Sequence, residues 1–274
     1  MIWKGFEDTV IVAGHRGERF NTPENTQTAF QKALDYGVDM IETDIRMTAD
    51  RELVIMHDAQ VERTTDGKGL VSGMTLEQFK TLNAAYGFER YEAEAPPSLR
   101  EFLELCAPHD KLLINFELKD YPVAGNEAFA FACADKTIAM IEEYGLTDRC
   151  LLNSFSGALL EYIAEKYPGR YQLHGFYPYQ ALGKTTRNPE SFLNWLCILN
   201  LSYDQEGKPH SFNFHTPPKQ YFDTVRNVGI DIGVGSGVWS REEMQQCIRM
   251  GAKMITADYP EDTLRILREL GYHA

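Results

Sequence analysis

Cysteine is scarce and unpatterned in this chain: Cys106, Cys133, Cys150, Cys197 and Cys247 are five in number, scattered, and show no CxxC spacing. An odd, dispersed set speaks against a disulfide framework and against a cysteine zinc site. Free, buried thiols suit a reducing compartment. Positive charge is also in short supply. Lys and Arg total 27 against 40 Asp and Glu, a formal net charge of -13. A general nucleic-acid binder wants a basic footprint, so that class is disfavoured. An anionic substrate remains admissible, because a bound metal ion can reverse the local field. Long apolar runs are missing too. No window approaches the roughly 18 uninterrupted apolar residues of a membrane span. The start, MIWKGFEDTVIVAGHRG, lacks the basic segment, apolar core and cleavage site of a signal peptide. A cytoplasmic location without stable membrane insertion is the expectation; the oligomeric state is left open. Phosphate-loop glycines are absent as well: GSG at 235–237 has no GxxxxGK[ST] or well-placed GxGxxG around it.

What is present is an alternation of strands and helices. Thr9–Ala13 reads as a short buried strand before a glycine turn. A helical period follows from Asn25 to Tyr36, with Ala29, Phe30, Ala33 and Leu34 on one side and Gly37 as a stop. Val38–Ile45 is a second strand and Leu53–Met56 a third. Residues 59–98 break the rhythm and read as an insertion capping one end. Further on, Leu99–Cys106 reads as helix, Lys111–Leu118 as strand, Glu127–Tyr144 as helix and Cys150–Asn153 as strand. The second half repeats the pattern less cleanly, with Trp195–Leu201 a strand among loops and 176–211 hard to read. This alternation indicates a parallel sheet. The 274 residues accommodate a (β/α)8 TIM barrel, which needs about 250. A single barrel domain over 1–274 is therefore expected, with an open doubly wound sheet as the competitor.

Polar residues gather where strands should end: His15 and Arg16, then Glu42 and Asp44, His57, and Glu117 with Lys119. In a barrel the loops after the strands form the active face, so these residues would converge. Glu42 and Asp44, at i and i+2, lie on one side of a strand. Two like charges on one face repel unless something positive sits between them. A divalent cation, with Glu117 as a third oxygen ligand, is the economical answer; salt bridges to Arg16 and Lys119 are the alternative. Three carboxylates suit a hard ion such as Mg²⁺ or Ca²⁺ better than Zn²⁺. The two histidines, on separate loops beside the carboxylates, suit a proton donor and a proton acceptor.

These residues also carry a resemblance. His15-Arg16-Gly17, Pro23-Glu24-Asn25-Thr26 and Ala29-Phe30 resemble the opening of the glycerophosphodiester phosphodiesterases. Ile41-Glu42-Thr43-Asp44 is similar to their metal-binding strand, and His57-Asp58 with Arg63-Thr64-Thr65, Gly67 and Gly69 to their next block. Phe116-Glu117-Leu118-Lys119, Asn153-Ser154-Phe155 and Thr256-Ala257-Asp258-Tyr259-Pro260 match the later blocks. The resemblance implies His15 and His57 as the general acid/base pair and Glu42, Asp44 and Glu117 as ligands of one divalent cation. It places Arg16 and Lys119 near the phosphate, and Asn25 in the loop after the first strand. It implies a small glycerophosphodiester as substrate, cleaved to sn-glycerol 3-phosphate and an alcohol. One block departs. Where the family carries Trp-Thr-Val after the seventh strand, this chain has Ser236-Gly237-Val238, and Trp239, three positions later, is the substrate-side candidate. That departure bears on the substrate more than on the reaction. A phosphodiesterase of the same fold acting on lysophospholipid or sphingomyelin-like lipids is the nearest alternative. A non-catalytic phosphate- or sugar-binding barrel is a remote one.

Overall fold

The structure is a computed structural model, and it describes residues 3–203, 209–213, 215–236, 238 and 240–274. In chain order the elements are β1 (Ile11–His15), α1 (Gln27–Tyr36), β2 (Met40–Met47), β3 (Leu53–Ile55), α2 (Leu76–Phe79), α3 (Leu99–Cys106), β4 (Leu113–Leu118), α4 (Glu127–Glu143), β5 (Cys150–Asn153), α5 (Gly157–Lys166), β6 (Gln172–Tyr177), β7 (Trp195–Ile198), β8 (Leu201–Tyr203), β9 (Pro209–Phe212), α6 (Lys219–Asn227), β10 (Asp231–Val234), α7 (Arg241–Met250), β11 (Ala252–Ala257) and α8 (Pro260–Leu270). The main sheet runs β1-β11-β10-β7-β6-β5-β4-β2-β3, and β1 also pairs with β2. Without β3 that order returns to its start, which is a closed (β/α)8 barrel. Among the described residues no helix is long and apolar enough to cross a membrane.

The chain divides into two compact units. Gly14–Cys150 is the first. Its β2 and β4 are parallel and in register from Met40 opposite Leu113 to Ile45 opposite Leu118. Both strands are buried almost throughout, as expected of barrel strands, which read as near-continuous apolar runs. The rings of Phe30 on α1, Phe102 on α3 and Phe116 on β4 stack edge to face at 4.7 and 6.2 Å, tying the helices to the strand. Local chemistry sets the helix ends. Thr26 accepts from the Ala29 N–H, and Gly37 closes α1 in the left-handed region at φ 77°. Ser98 and Glu101 form a capping box at α3. Within residues 59–98, Val61, Val71 and Phe79 join Val54 and Met56 in a small apolar cluster of their own.

The second unit joins the stretch ending at Ala13 to Leu151–Ala274. Parallel pairings link β5 to β6, β6 to β7, β7 to β10 and β10 to β11. Trp195, fully buried, stacks on Trp3 at 5.7 Å. The strand expected over Trp195–Leu201 ends at Ile198, and β8 and β9 form a separate antiparallel hairpin, Leu201 opposite Phe212. All five cysteines are free and buried.

One strand runs against the expected pattern. Leu53–Ile55 is not another parallel barrel strand; β3 returns antiparallel along β2, with Ile45 opposite Ile55. The turn between them closes with the Thr48 N–H donating to the Glu52 carbonyl at 2.9 Å. The Met56 N–H then donates to the Asp44 carbonyl at 3.0 Å. His57 therefore arrives level with the acidic end of β2 on a descending strand.

Candidate active site

The acidic centre of the site is assembled within Gly14–Cys150 from three chain segments. The first follows β1. His15 is its last residue, and Arg16 then adopts the left-handed conformation at φ 54°. Gly17 follows at φ 84°, where a Cβ would lie 2.6 Å from the Ala29 carbonyl carbon. Only glycine fits so close an approach at positive φ. The turn aims the Arg16 backbone N–H at Glu42 Oε2, 3.0 Å away. The Arg16 side chain folds back, with Nη1 donating to Glu24 Oε1 at 2.7 Å and Nε 3.3 Å from Asp44 Oδ2. Asn25, also left-handed at φ 57°, donates from Nδ2 to Asp44 Oδ2 at 2.7 Å and accepts from the Thr43 hydroxyl at 3.2 Å.

The second and third segments are the C-terminal ends of β2 and β4. Glu42, Asp44 and Arg46 alternate along β2, so they share a face. The parallel register sets Glu117 opposite Asp44. One oxygen each from Glu42, Asp44 and Glu117 can be chosen so that all lie within 4.8 Å of one another. All three side chains are buried. Lys119 Nζ lies 3.2 Å from Asp44 Oδ1, without hydrogen-bond alignment, and donates to Glu117 Oε1.

The charges respond to this crowding. Burial, reinforced by Asp44 and Glu117, pushes the Glu42 carboxyl well above the usual carboxylate range. Burial also raises Glu117, against the pull of Lys119. Burial would raise Asp44 too, but Lys119, Arg16 and His57 together hold it well below its ordinary value. Glu42 Oε1 and Asp44 Oδ1 are buried and accept no hydrogen bond among the described residues. Unsatisfied buried carboxylate oxygens are costly. Oxygen-only donors converging at this spacing fit a hard cation such as Mg²⁺ or Ca²⁺.

The two histidines have complementary surroundings. His57 Nδ1 lies 2.5 Å from Asp58 Oδ1. A carboxylate partner takes the Nδ1–H, leaving the lone pair on Nε2. Burial brings His57 down to about 4, with Lys119 and Arg16 adding to the effect and Asp44 opposing it. His15 Nδ1 lies 3.3 Å from Arg19 Nη1, and its Nε2 lies 3.9 Å from Glu42 Oε2. A guanidinium only donates, so His15 Nδ1 accepts and the proton sits on Nε2.

Of the residues singled out in the sequence, His15, Arg16, Asn25, Glu42, Asp44, Glu117 and Lys119 meet directly or through one shared partner. His57 is held through its backbone: its carbonyl accepts from Arg46 Nη2 at 2.7 Å and Nε at 3.0 Å. Trp239 lies outside the described residues. Sequence reasoning missed Arg46 and Asp120. Arg46 Nη1 donates to the Lys119 carbonyl and to Asp120 Oδ1, at 3.1 and 3.0 Å, so it fixes the backbone at both His57 and Lys119. The signal was there, since Arg46 continues the alternation of Glu42 and Asp44 into a position that should otherwise be apolar.

Known proteins supply an independent comparison. The sequence profile of the Glycerophosphoryl diester phosphodiesterase family matches residues 15–262. A glycerophosphodiester phosphodiesterase of Caldanaerobacter subterraneus subsp. tengcongensis is 31% identical, covering 95% of this chain and 99% of its own. One from Bacillus altitudinis is 29% identical over 94% and 98%. Among solved structures, a phosphodiesterase of Oleispira antarctica, in complex with its product sn-glycerol-3-phosphate, superposes with a TM-score of 0.75 at 22% identity, covering 95% of this chain and 97% of that one. At that identity the likeness speaks for the fold alone. The profile match and the full-length relative at 31% identity establish that the chain belongs to the glycerophosphoryl diester phosphodiesterase family and is a hydrolase of that type.

Proposed function

We propose that this site hydrolyses glycerophosphodiesters to sn-glycerol 3-phosphate and an alcohol, with a divalent cation held by Glu42, Asp44 and Glu117. The observation that carries the reading is the buried carboxylate cluster, in which Glu42 Oε1 and Asp44 Oδ1 accept no hydrogen bond among the described residues. The relatives of matching length are glycerophosphodiester phosphodiesterases, which supports the substrate class.

Charge explains why a metal is needed. Ionised, as metal ligands must be, the three carboxylates outnumber Arg16 and Lys119, so without a cation the cluster offers a phosphodiester anion no net attraction. A dication held by Glu42, Asp44 and Glu117 would make the cluster net positive and would supply Lewis acidity to the phosphodiester. Arg16 and Lys119 remain as fixed donors beside the phosphate, where negative charge grows as phosphorus becomes five-coordinate. His57, with its lone pair on Nε2, takes the proton of the attacking hydroxyl. His15, with its proton on Nε2, gives one to the departing alkoxide, otherwise a poor leaving group.

The test is product analysis by phosphorus NMR on a panel of glycerophosphodiesters and lysophospholipids. Release of glycerol phosphate from glycerophosphocholine or glycerophosphoethanolamine, faster than from the lipids, is the expected result. Turnover of the lipids alone, or of neither class, contradicts the reading.

A further inference from the structure

Glu24 belongs to none of the groups invoked above, yet more of the site's cations converge on it than on any ligand carboxylate. Arg63 grips it with two parallel bonds, Nη2 to Oε1 at 2.8 Å and Nη1 to Oε2 at 3.1 Å. Arg16 Nη1 donates to Oε1 at 2.7 Å, and Arg19 Nη2 stands 3.8 Å from Oε2. The Arg16 side chain is buried and that of Glu24 only 10% exposed, so that pair is poorly screened by solvent, whereas Arg63 is half-exposed. Burial would raise this carboxyl, but the Arg63 hydrogen bonds and the charges of Arg16, Arg63 and Arg19 bring it down to about 2.

Two arms lead outward from this hub. Arg63 turns its third nitrogen, Nε, to Asp58 Oδ2 at 2.5 Å, and Asp58 Oδ1 meets His57 Nδ1. Arg19 turns Nη1 to His15 Nδ1. The Nδ1 atoms of both histidines are thus tied to one carboxylate. One connection presents an anion and makes Nδ1 a donor; the other presents a cation and makes Nδ1 an acceptor. A neutral imidazole has two tautomers, and the partner at one nitrogen decides which is present.

We propose that Glu24 is a positioning residue that sets ring orientation and opposite tautomers in His15 and His57 at once, through Arg19 on one side and Arg63 with Asp58 on the other. The inference rests on the proton-transfer roles given to the histidines above. It assigns a function to the Glu of Pro23-Glu24-Asn25 and to the Arg of Arg63-Thr64-Thr65, neither of which needs to touch substrate. Because both arms share an anchor, loss of Glu24 disturbs the two rings together, whereas loss of one arm disturbs one ring.

The experiment uses the full chain, ¹⁵N-labelled at histidine and saturated with Mg²⁺ or Ca²⁺. Imidazole tautomers are read by two-bond ¹H–¹⁵N spectra near neutral pH, alongside kcat and KM on glycerophosphocholine. Glu24→Gln is expected to lose the single-tautomer signature at both rings. Its kcat should fall by about 10–100-fold, the usual effect of removing a group that orients a catalytic side chain, with KM changed by less than about threefold. Arg63→Met, at a half-exposed side chain, should alter the His57 signals alone, and Arg19→Met those of His15 alone. Wild-type ring signals in Glu24→Gln, or turnover within twofold of wild type, overturns the proposal. If Glu24→Gln does not fold, Arg63→Met with unaltered His57 signals overturns it equally. The tautomer readout needs no turnover. An inactive wild-type chain whose ring signals still change in Glu24→Gln would therefore sink the functional reading and leave the positioning role standing.

Discussion

Asp44 on β2 and Glu117 on β4 stand opposite each other in a parallel register, and Lys119 reaches the carboxylates of both. In-register partners on parallel strands put their side chains on the same face, so the fold forces two buried acids together. Glu42, two residues before Asp44 on that face, accepts a backbone N–H at Oε2, with His15 Nε2 3.9 Å away, and no hydrogen bond at Oε1 among the described residues. The arrangement is locally unfavourable in the absence of a cation, which is common where a site is built for binding and not for stability.

Glu42 and Asp44 respond to it in opposite directions, one held above its ordinary pKa and the other below. In metal-free protein, Glu42→Gln should therefore raise stability, by about 0.5–2 kcal/mol. Asp44→Asn should lower it by about 1–3 kcal/mol, because Lys119 and Arg16 lose the buried carboxylate they share and keep only Glu117 and Glu24. Both variants should lose metal-dependent turnover. Thermal melts after chelation check the pair, and a shift of the same sign in both contradicts the electrostatic account.

His15→Asn and His57→Asn should each reduce kcat by about 10²–10⁴-fold, with circular dichroism and melting temperature close to wild type. Activity within about tenfold of wild type in either purified variant removes that histidine from proton transfer.

Gly17→Ala should destabilise the chain by more than about 2 kcal/mol and depress turnover, since it strains a left-handed residue. The added methyl would press on the Ala29 backbone and move Arg16 away from Glu42. Denaturant melts and kcat/KM measured together check this; unchanged values in both contradict the turn's role.

Alkaline stability depends on the buried thiols. An unfolded thiol ionises near pH 9, whereas burial pushes Cys150 and Cys247 up to about 12 and raises Cys106 and Cys133 as well. Between those values the folded chain keeps protons that the unfolded chain has released. Stability is therefore fully present below about pH 9 and falls toward pH 12, by about 1.4 kcal/mol per pH unit for each such thiol. Melting temperatures in reducing buffer should drop over that window, and less steeply in Cys150→Ala. A slope unchanged by the substitution contradicts the assignment.

The acidic cluster was legible because a period of two and a strand end are local signals. Glu42 and Asp44 declared a shared face by spacing, and Glu117-Leu118-Lys119 declared a strand end. The direction of β3 was harder to read. Leu53–Ile55 is a three-residue apolar run, and burial alone carries no information about parallel or antiparallel pairing. A cue existed in the connection: residues 48–52 are too few for a crossover between parallel strands, which needs a dozen or more. The role of Glu24 was not legible, because its main partner Arg63 lies 39 residues ahead. Sequence spacing does not announce such a contact. The β8–β9 hairpin was missed because 176–211 has no sustained period of either kind.

The claim that everything else depends on is that Glu42, Asp44 and Glu117 hold a cation the reaction requires. The direct measurement is turnover of glycerophosphocholine by chain stripped with chelator, its metal content verified by elemental analysis, then titrated with Mg²⁺ or Ca²⁺. The account predicts no turnover when stripped, recovery on titration, and no recovery in Glu117→Gln. Undiminished turnover by the verified metal-free chain would contradict it.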